Sequence, residues 1–310
     1  MSQRQSTTPV SVEATAPPEN VALSWFRTLG RWAILRIAIY LAAVIGALIL
    51  SKLATMPFIP PAPSPLHGPL TLAANLGSAA LLLGAYALVV RLVERRAARE
   101  IDPRSGVGLF LIGTLLGAGL MATVFLILWG LGMATFPPGT GVHGLIGLLA
   151  VAFAVGVMEE LILRAIVFRV LEDATGTTVA VIFSAILFGL LHAINPGATL
   201  LSSAAIALEG GVMLALAFVL TRSLWCSIGI HMSWNFTQGA VFGAQVSGFA
   251  PSHSLLRTVL TGPEILTGGA FGPEASIVSM VVCSLASVVL GVLVIRRAGW
   301  RPRTLKLRLA

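Results

Sequence analysis

The sequence predicts an all-α, polytopic membrane helix bundle of about eight transmembrane helices, on three observations. The 310 residues are 56% hydrophobic and only 10% charged, with a mean hydropathy of +0.93. An ordinary soluble domain carries roughly 45–50% apolar and about 25% charged residues, so this chain cannot cover a water-facing surface. Apolar runs near the length that crosses a bilayer recur eight times, at 32–53, 70–93, 107–133, 144–170, 178–194, 200–221, 224–242 and 277–295. Basic residues, finally, fall in alternate gaps, which is how a multi-pass chain fixes its orientation.

In chain order, residues 1–31 open on a polar, Pro- and Thr-rich stretch with no apolar core behind Arg4, and read as a disordered cytoplasmic tail rather than a signal peptide. Residues 32–143 supply three accessory transmembrane helices. The first two are split by MPFIPPAPSPLHGP, a proline-rich linker that a helix does not accommodate. Residues 144–295 hold the remaining five, with a Gly/Ser/Pro-rich stretch at 243–276 long enough to cap the bundle or re-enter it. Residues 296–310 form a basic cytoplasmic tail.

Arg95, Arg96, Arg99 and Arg104 share a side with Arg222 and with both termini, and only Lys52 and Arg257 lie opposite. The positive-inside rule makes that shared side the cytoplasm, for a multi-pass protein of the cell (plasma or inner) membrane. The formal charge of +8 and pI near 10.9 are absorbed by these loops, so the partner they imply is the lipid bilayer and not nucleic acid. Cys226 and Cys283 fall within apolar runs and read as buried free thiols. Cysteine labelling at residues 100 and 305 tests the orientation; both sites should resist impermeant reagent in intact cells, and labelling of either from outside would invert it.

Ionisable residues inside spans are costly and mark function by default, at about 2.5–3.5 kcal/mol each on insertion scales. They cluster in the second half of this chain: Glu159, Glu160 and Arg164 on the fourth span, His192 on the fifth, Glu209 on the sixth, His231 with Asn235 on the seventh. At 1.5 Å per residue, Glu159 lies about 16 Å from the cytoplasmic face, His192 about 21 Å, Glu209 near 20 Å, His231 roughly 10–12 Å and Asn235 near 17 Å. Four helices thus place polar groups at comparable depth, which predicts one shared site. A lone helical histidine is usually a satisfied core residue, but two at matched depth with an asparagine one turn on are less ordinary. Glu160 and Arg164 are i,i+4 neighbours suited to an ion pair, serving either helix packing or the chemistry itself. Glu159 points about 100° away and is free to face other helices. Arg36, one turn inside the first span, is expected to snorkel to the cytoplasmic surface.

Three short motifs contain these residues: Glu159-Glu160-Leu-Ile-Leu-Arg164 reads EExxxR, Phe188-Gly-Leu-Leu-His192 reads FxxxH, and His231-Met-Ser-Trp-Asn235 reads HxxxN. Their order on successive spans resembles the CAAX protease and bacteriocin-processing (CPBP) family, intramembrane glutamic endopeptidases similar to the type II CAAX prenyl endopeptidase (Ras-converting enzyme). SLWCSIGIHMSWNF and GGAFGPEAS look like bacterial members, and the likeness covers residues 144–280. The family often has Gly after the motif arginine, where this chain has Ala165.

The resemblance implies a hydrolase in which 144–295 is the catalytic unit and the substrate is a membrane-associated peptide or protein. Glu159 would act as general base on water with His192, His231 and Asn235 would form an oxyanion hole, and Glu160 and Arg164 would support them. Phe188, Glu209 and Trp234 are candidates to line the site. No metal or other cofactor is required, although Glu159, His192 and His231 could supply three ligands to a divalent ion. Other intramembrane protease chemistries lack their letters: no His is followed by Glu as HExxH requires, no GxSG occurs, and the only aspartates, Asp102 and Asp173, fall in loops. The reading from another class is a non-catalytic scaffold or a transporter using the same midplane polar groups.

Overall fold

The computed structural model describes residues 20–60, 67–297 and 299–301. Besides single turns, eight helices follow in chain order. They are α1 Asn20–Thr55, α2 His67–Val89 with a π-helical end Val90–Glu94, α3 Pro103–Gly130, α4 Leu145–Thr175, α5 Thr177–Leu191, α6 Leu200–Thr221, α7 Leu224–Phe236 continued by the π-helical Thr237–Val241, and α8 Ile277–Arg296. The all-α membrane bundle stands, with six helices among the described residues long and apolar enough to cross a membrane.

The two that fall short have local reasons. Helix α5 stops after 15 residues, ahead of Asn195-Pro196-Gly197, where proline breaks the backbone ladder. Helix α7 loses apolar length to its own His231, Asn235 and Gln238. At the start of the chain, α1 begins at Asn20, so residues 20–31 are helical rather than tail; residues 1–19 lie outside the described residues. Helix α2 likewise takes in Pro69 from the predicted linker, in the first turn, where a missing N–H costs nothing. Residues 61–66 of that linker lie outside the described residues. At the other terminus the predicted tail is bound before residues 302–310 leave the described part: the Arg301 N–H donates to Thr177 Oγ1 at 3.0 Å, and the Arg301 carbonyl accepts from the Thr177 N–H at 3.1 Å.

Helices α3 and α7 meet backbone to backbone. A Cβ added at Gly113 would lie 2.2 Å from the Cys226 carbonyl oxygen, and one at Gly117 would lie 2.2 Å from that of Ile230. Small residues permit this approach, which is a main source of helix attraction where water cannot drive association. On the other flank one core joins Tyr40 of α1, Leu82 and Tyr86 of α2, Leu161 and Phe168 of α4, Phe218 of α6 and Ile228 of α7. Large apolar side chains such as Ile34, Leu115, Ile186 and Leu285 face outward, as lipid requires. Cys226 and Cys283 are buried and free.

The two ends of the bundle differ. At one end Glu94 accepts from Arg36 at 2.6 Å, Arg96 at 2.6 Å, Tyr40 at 2.7 Å and Arg169 at 2.8 and 2.9 Å. Arg36 also reaches Asp173 at 3.3 Å, so it is paired within the protein rather than snorkelling free, and Asp173 belongs to the last turns of α4 rather than to a loop. Burial pushes Glu100 up, but hydrogen bonds from Arg96 and Tyr86 outweigh it and hold its carboxyl below the usual carboxylate range. This network fastens α1 and α2 to the end of α4. At the opposite end, residues 243–276 fold back as a cap, held by a two-stranded antiparallel sheet of β1 Ala134–Thr135 and β2 Val259–Leu260.

Candidate active site

Helix α4 brings Glu159, Glu160 and Arg164 into the bundle, and directly after Glu160 it widens into a π-helical segment, Leu161–Phe168. Such segments are uncommon and gather at functional sites; α6 and α7 carry others at Ala207–Met213 and Thr237–Val241. Glu160 and Arg164 are both fully buried, with Arg164 Nε 3.2 Å from Glu160 Oε2. Arg164 Nη2 donates to the carbonyl of Gly210 and, at 3.3 Å, to that of Gly211 on α6. Its guanidinium lies 4.9 Å from the Phe188 ring centroid, a cation–π contact. Gly210 is required for this fit, because a Cβ there would lie 2.2 Å from a Phe188 ring carbon.

The second oxygen of Glu160 does what spacing within one helix did not indicate. His231 Nδ1 lies 3.0 Å from Glu160 Oε1, so Glu160 bridges Arg164 of its own helix and His231 of α7. The contact with His231 adds a second helix to the ion pair that the i,i+4 spacing predicted. His192 Nδ1 lies 2.8 Å from the Phe188 carbonyl oxygen; a carbonyl only accepts, so Nδ1 carries the proton and Nε2 is the free position. Both free Nε2 atoms, of His192 and His231, lie 3.8 Å from Glu159 Oε2. The Phe188 ring packs against both imidazoles, at centroid distances of 4.8 Å and 6.0 Å.

Glu159, His192, His231 and Asn235 open onto one cavity of about 660 Å³. It is lined by apolar residues of α4 from Leu148 to Ile162 and by the cap residues Val246, Ser247, Phe249, Ala250, Pro251 and Ser252. Behind it a smaller cavity of about 40 Å³ lies among Phe188, Glu209, Trp234, Asn235 and Glu274. Every residue expected at the site thus lines one of these two cavities except Glu160 and Arg164, which are buried against the lining residues His231 and Phe188. Glu209 is buried, and neither carboxylate oxygen accepts a hydrogen bond among the described residues. Sequence reasoning missed Ser247 and Glu274. The signal for Glu274 was present: a carboxylate in an apolar Gly/Pro stretch directly before a span. Among the described residues no group of three or more His, Cys, Asp or Glu side chains is arranged to hold a metal ion.

Residues 141–237 match the family model described as type II CAAX prenyl endopeptidase Rce1-like. This segment is similar to that family. It begins just before α4 and ends one turn after Trp234, so it contains EExxxR, FxxxH and HxxxN in full and leaves α1 to α3, the cap and α8 outside. The description of that family names an endopeptidase, a class that hydrolyses peptide bonds. No curated protein matches the chain.

Proposed function

We propose that the protein is an intramembrane endopeptidase of the CAAX type, in which Glu159 and His192 activate a water molecule that attacks the scissile carbonyl. The observation that carries this reading is the position of Glu159 Oε2, 3.8 Å from His192 Nε2 and from His231 Nε2. That separation is too long for a direct hydrogen bond and suits a single bridging water. With Nδ1 of His192 committed to the Phe188 carbonyl, its Nε2 accepts a hydrogen bond from that water and holds it while the Glu159 carboxylate takes the proton as general base. The oxygen attacks the carbonyl carbon, and the resulting oxyanion turns to α7. There Asn235, whose side chain makes no other hydrogen bond among the described residues, and His231 Nε2 supply donors. His231 donates from Nε2 only as an imidazolium, because Nδ1–H is already given to Glu160. The proton held by Glu159 and His192 then passes to the leaving amine as the C–N bond breaks, which restores the site.

The apolar α4 wall suits a membrane-associated peptide or protein as substrate. In this reading residues 144–295 form the catalytic unit, 32–143 are accessory helices, and the Arg-rich end carrying Glu94 faces the cytoplasm of a cell-membrane protein with both termini inside. Comparison of membrane peptidomes from cells carrying the wild type or His192→Ala tests the function. Peptides that accumulate or disappear only with the intact site support it; identical peptidomes argue for the scaffold or transporter. The water mechanism requires no metal, so cleavage by the purified protein is expected to survive prolonged chelation. Activity lost to a chelator and restored by stoichiometric zinc would instead make Glu159, His192 and His231 metal ligands.

A further inference from the structure

We propose that Glu274 is a positioning residue of this site: its carboxylate ties the cavity wall at Ser247 to Trp234, on the helix that carries His231 and Asn235. Glu274 sits outside the matched segment and is 1% exposed, where polar partners offset the cost of burying a carboxyl group. Oε1 accepts the backbone N–H of Ser247, and Oε2 accepts from Trp234 Nε1 at 3.4 Å.

Both partners are placed to matter. Ser247 has φ +50°, in the left-handed region that a non-glycine residue seldom adopts, so that turn keeps its shape only if something holds it. The hold comes from the second limb of the cap and from α7. Besides the Glu274 bond, Gly248 N–H donates to the Phe271 carbonyl at 2.8 Å, and Gln238 Nε2 of α7 donates to the Gln245 carbonyl at 2.5 Å. The segment so gripped lines the 660 Å³ cavity through Val246, Ser247 and Phe249. Trp234 lies between His231 and Asn235 in sequence, so its indole N–H reports how α7 is turned toward the reacting atoms. One carboxylate therefore sets both the distance of the wall and the rotation of the two oxyanion donors.

The test uses full-length protein in detergent with Glu274→Ala, Glu274→Gln, Trp234→Phe and the pair Glu274→Ala/Trp234→Phe. The kinetic arm rests on the protease reading; a second arm, maleimide labelling of Ser247→Cys with and without the Glu274 substitutions, does not. Glu274→Ala should raise KM roughly tenfold or more, the size of one hydrogen bond to a charged group, and label residue 247 several-fold faster. Glu274→Gln keeps an acceptor for the Ser247 N–H and should recover part of both. Trp234→Phe should add little in the Glu274→Ala background, because the two act as one unit. Unchanged KM and unchanged labelling in Glu274→Ala would overturn the proposal, as would fully additive losses or a fall in Tm with KM and labelling intact. If the wild type cleaves no peptide at all, the protease reading fails and the labelling arm alone decides the clamp.

Discussion

Glu159→Gln is expected to fold like the wild type and to cleave peptide about 10²–10⁴-fold more slowly, the range for loss of a general base. The structural cost is small because Glu159 is not part of the framework. Its side chain is 22% exposed, facing the cavity, and Oε2 makes no hydrogen bond among the described residues. The substituted amide keeps the shape and removes the carboxylate that accepts the water proton. His192→Ala should reproduce the kinetic loss, since it removes the Nε2 acceptor that Phe188 holds in place, whereas Asn235→Ala should keep more activity because one oxyanion donor remains. Melting temperature and turnover of a single peptide across the three variants decide the matter. A Glu159→Gln protein that is folded and cleaves at the wild-type rate removes Glu159 from the chemistry.

Much of this architecture was legible in the letters, for a physical reason. Bilayer thickness converts directly into apolar run length, so the helices could be located by composition, and α8, expected at 277–295, is Ile277–Arg296. Polar side chains at matched depth stood out because lipid offers them nothing, which is why α4, α5, α6 and α7 were expected to share one site. Glu209 of α6 lines the smaller cavity rather than the 660 Å³ one. Contacts between helices were less accessible. Intrahelical spacing paired Glu160 with Arg164 but said nothing of its bond to His231, which depends on the rotation of α7 against α4. The π-helical segment after Glu160 also breaks the 100° step on which such spacing arguments rest. Arg36 looked like a snorkelling residue because its partner Glu94 is 58 positions away. The Glu274 clamp was hidden for the same reason: its partners, Trp234 and Ser247, are 40 and 27 positions away across a loop, where no periodicity links them.

The second large effect concerns the buried pair, and stability and activity should part company there. Glu160→Gln leaves the fully buried Arg164 without its carboxylate, at a cost of about 3–5 kcal/mol for breaking a buried ion pair. Arg164→Met should cost a similar amount, because it strands the Glu160 carboxylate and abandons the Gly210 and Gly211 carbonyls. The double variant Glu160→Gln/Arg164→Met removes both charges, so its stability should recover well above the sum of the single losses. Cleavage should not recover with it. The amide can still accept His231 Nδ1–H, but it no longer favours the imidazolium, and a neutral ring in that tautomer turns a lone pair toward the developing oxyanion. Thermal melts of the four proteins give the coupling, and peptide turnover at a temperature where all are folded gives the chemistry. A double variant no more stable than the singles would mean that the two charges do not depend on each other. One that regains activity together with stability would confine Glu160 to holding α4 in place and leave oxyanion stabilisation to Asn235.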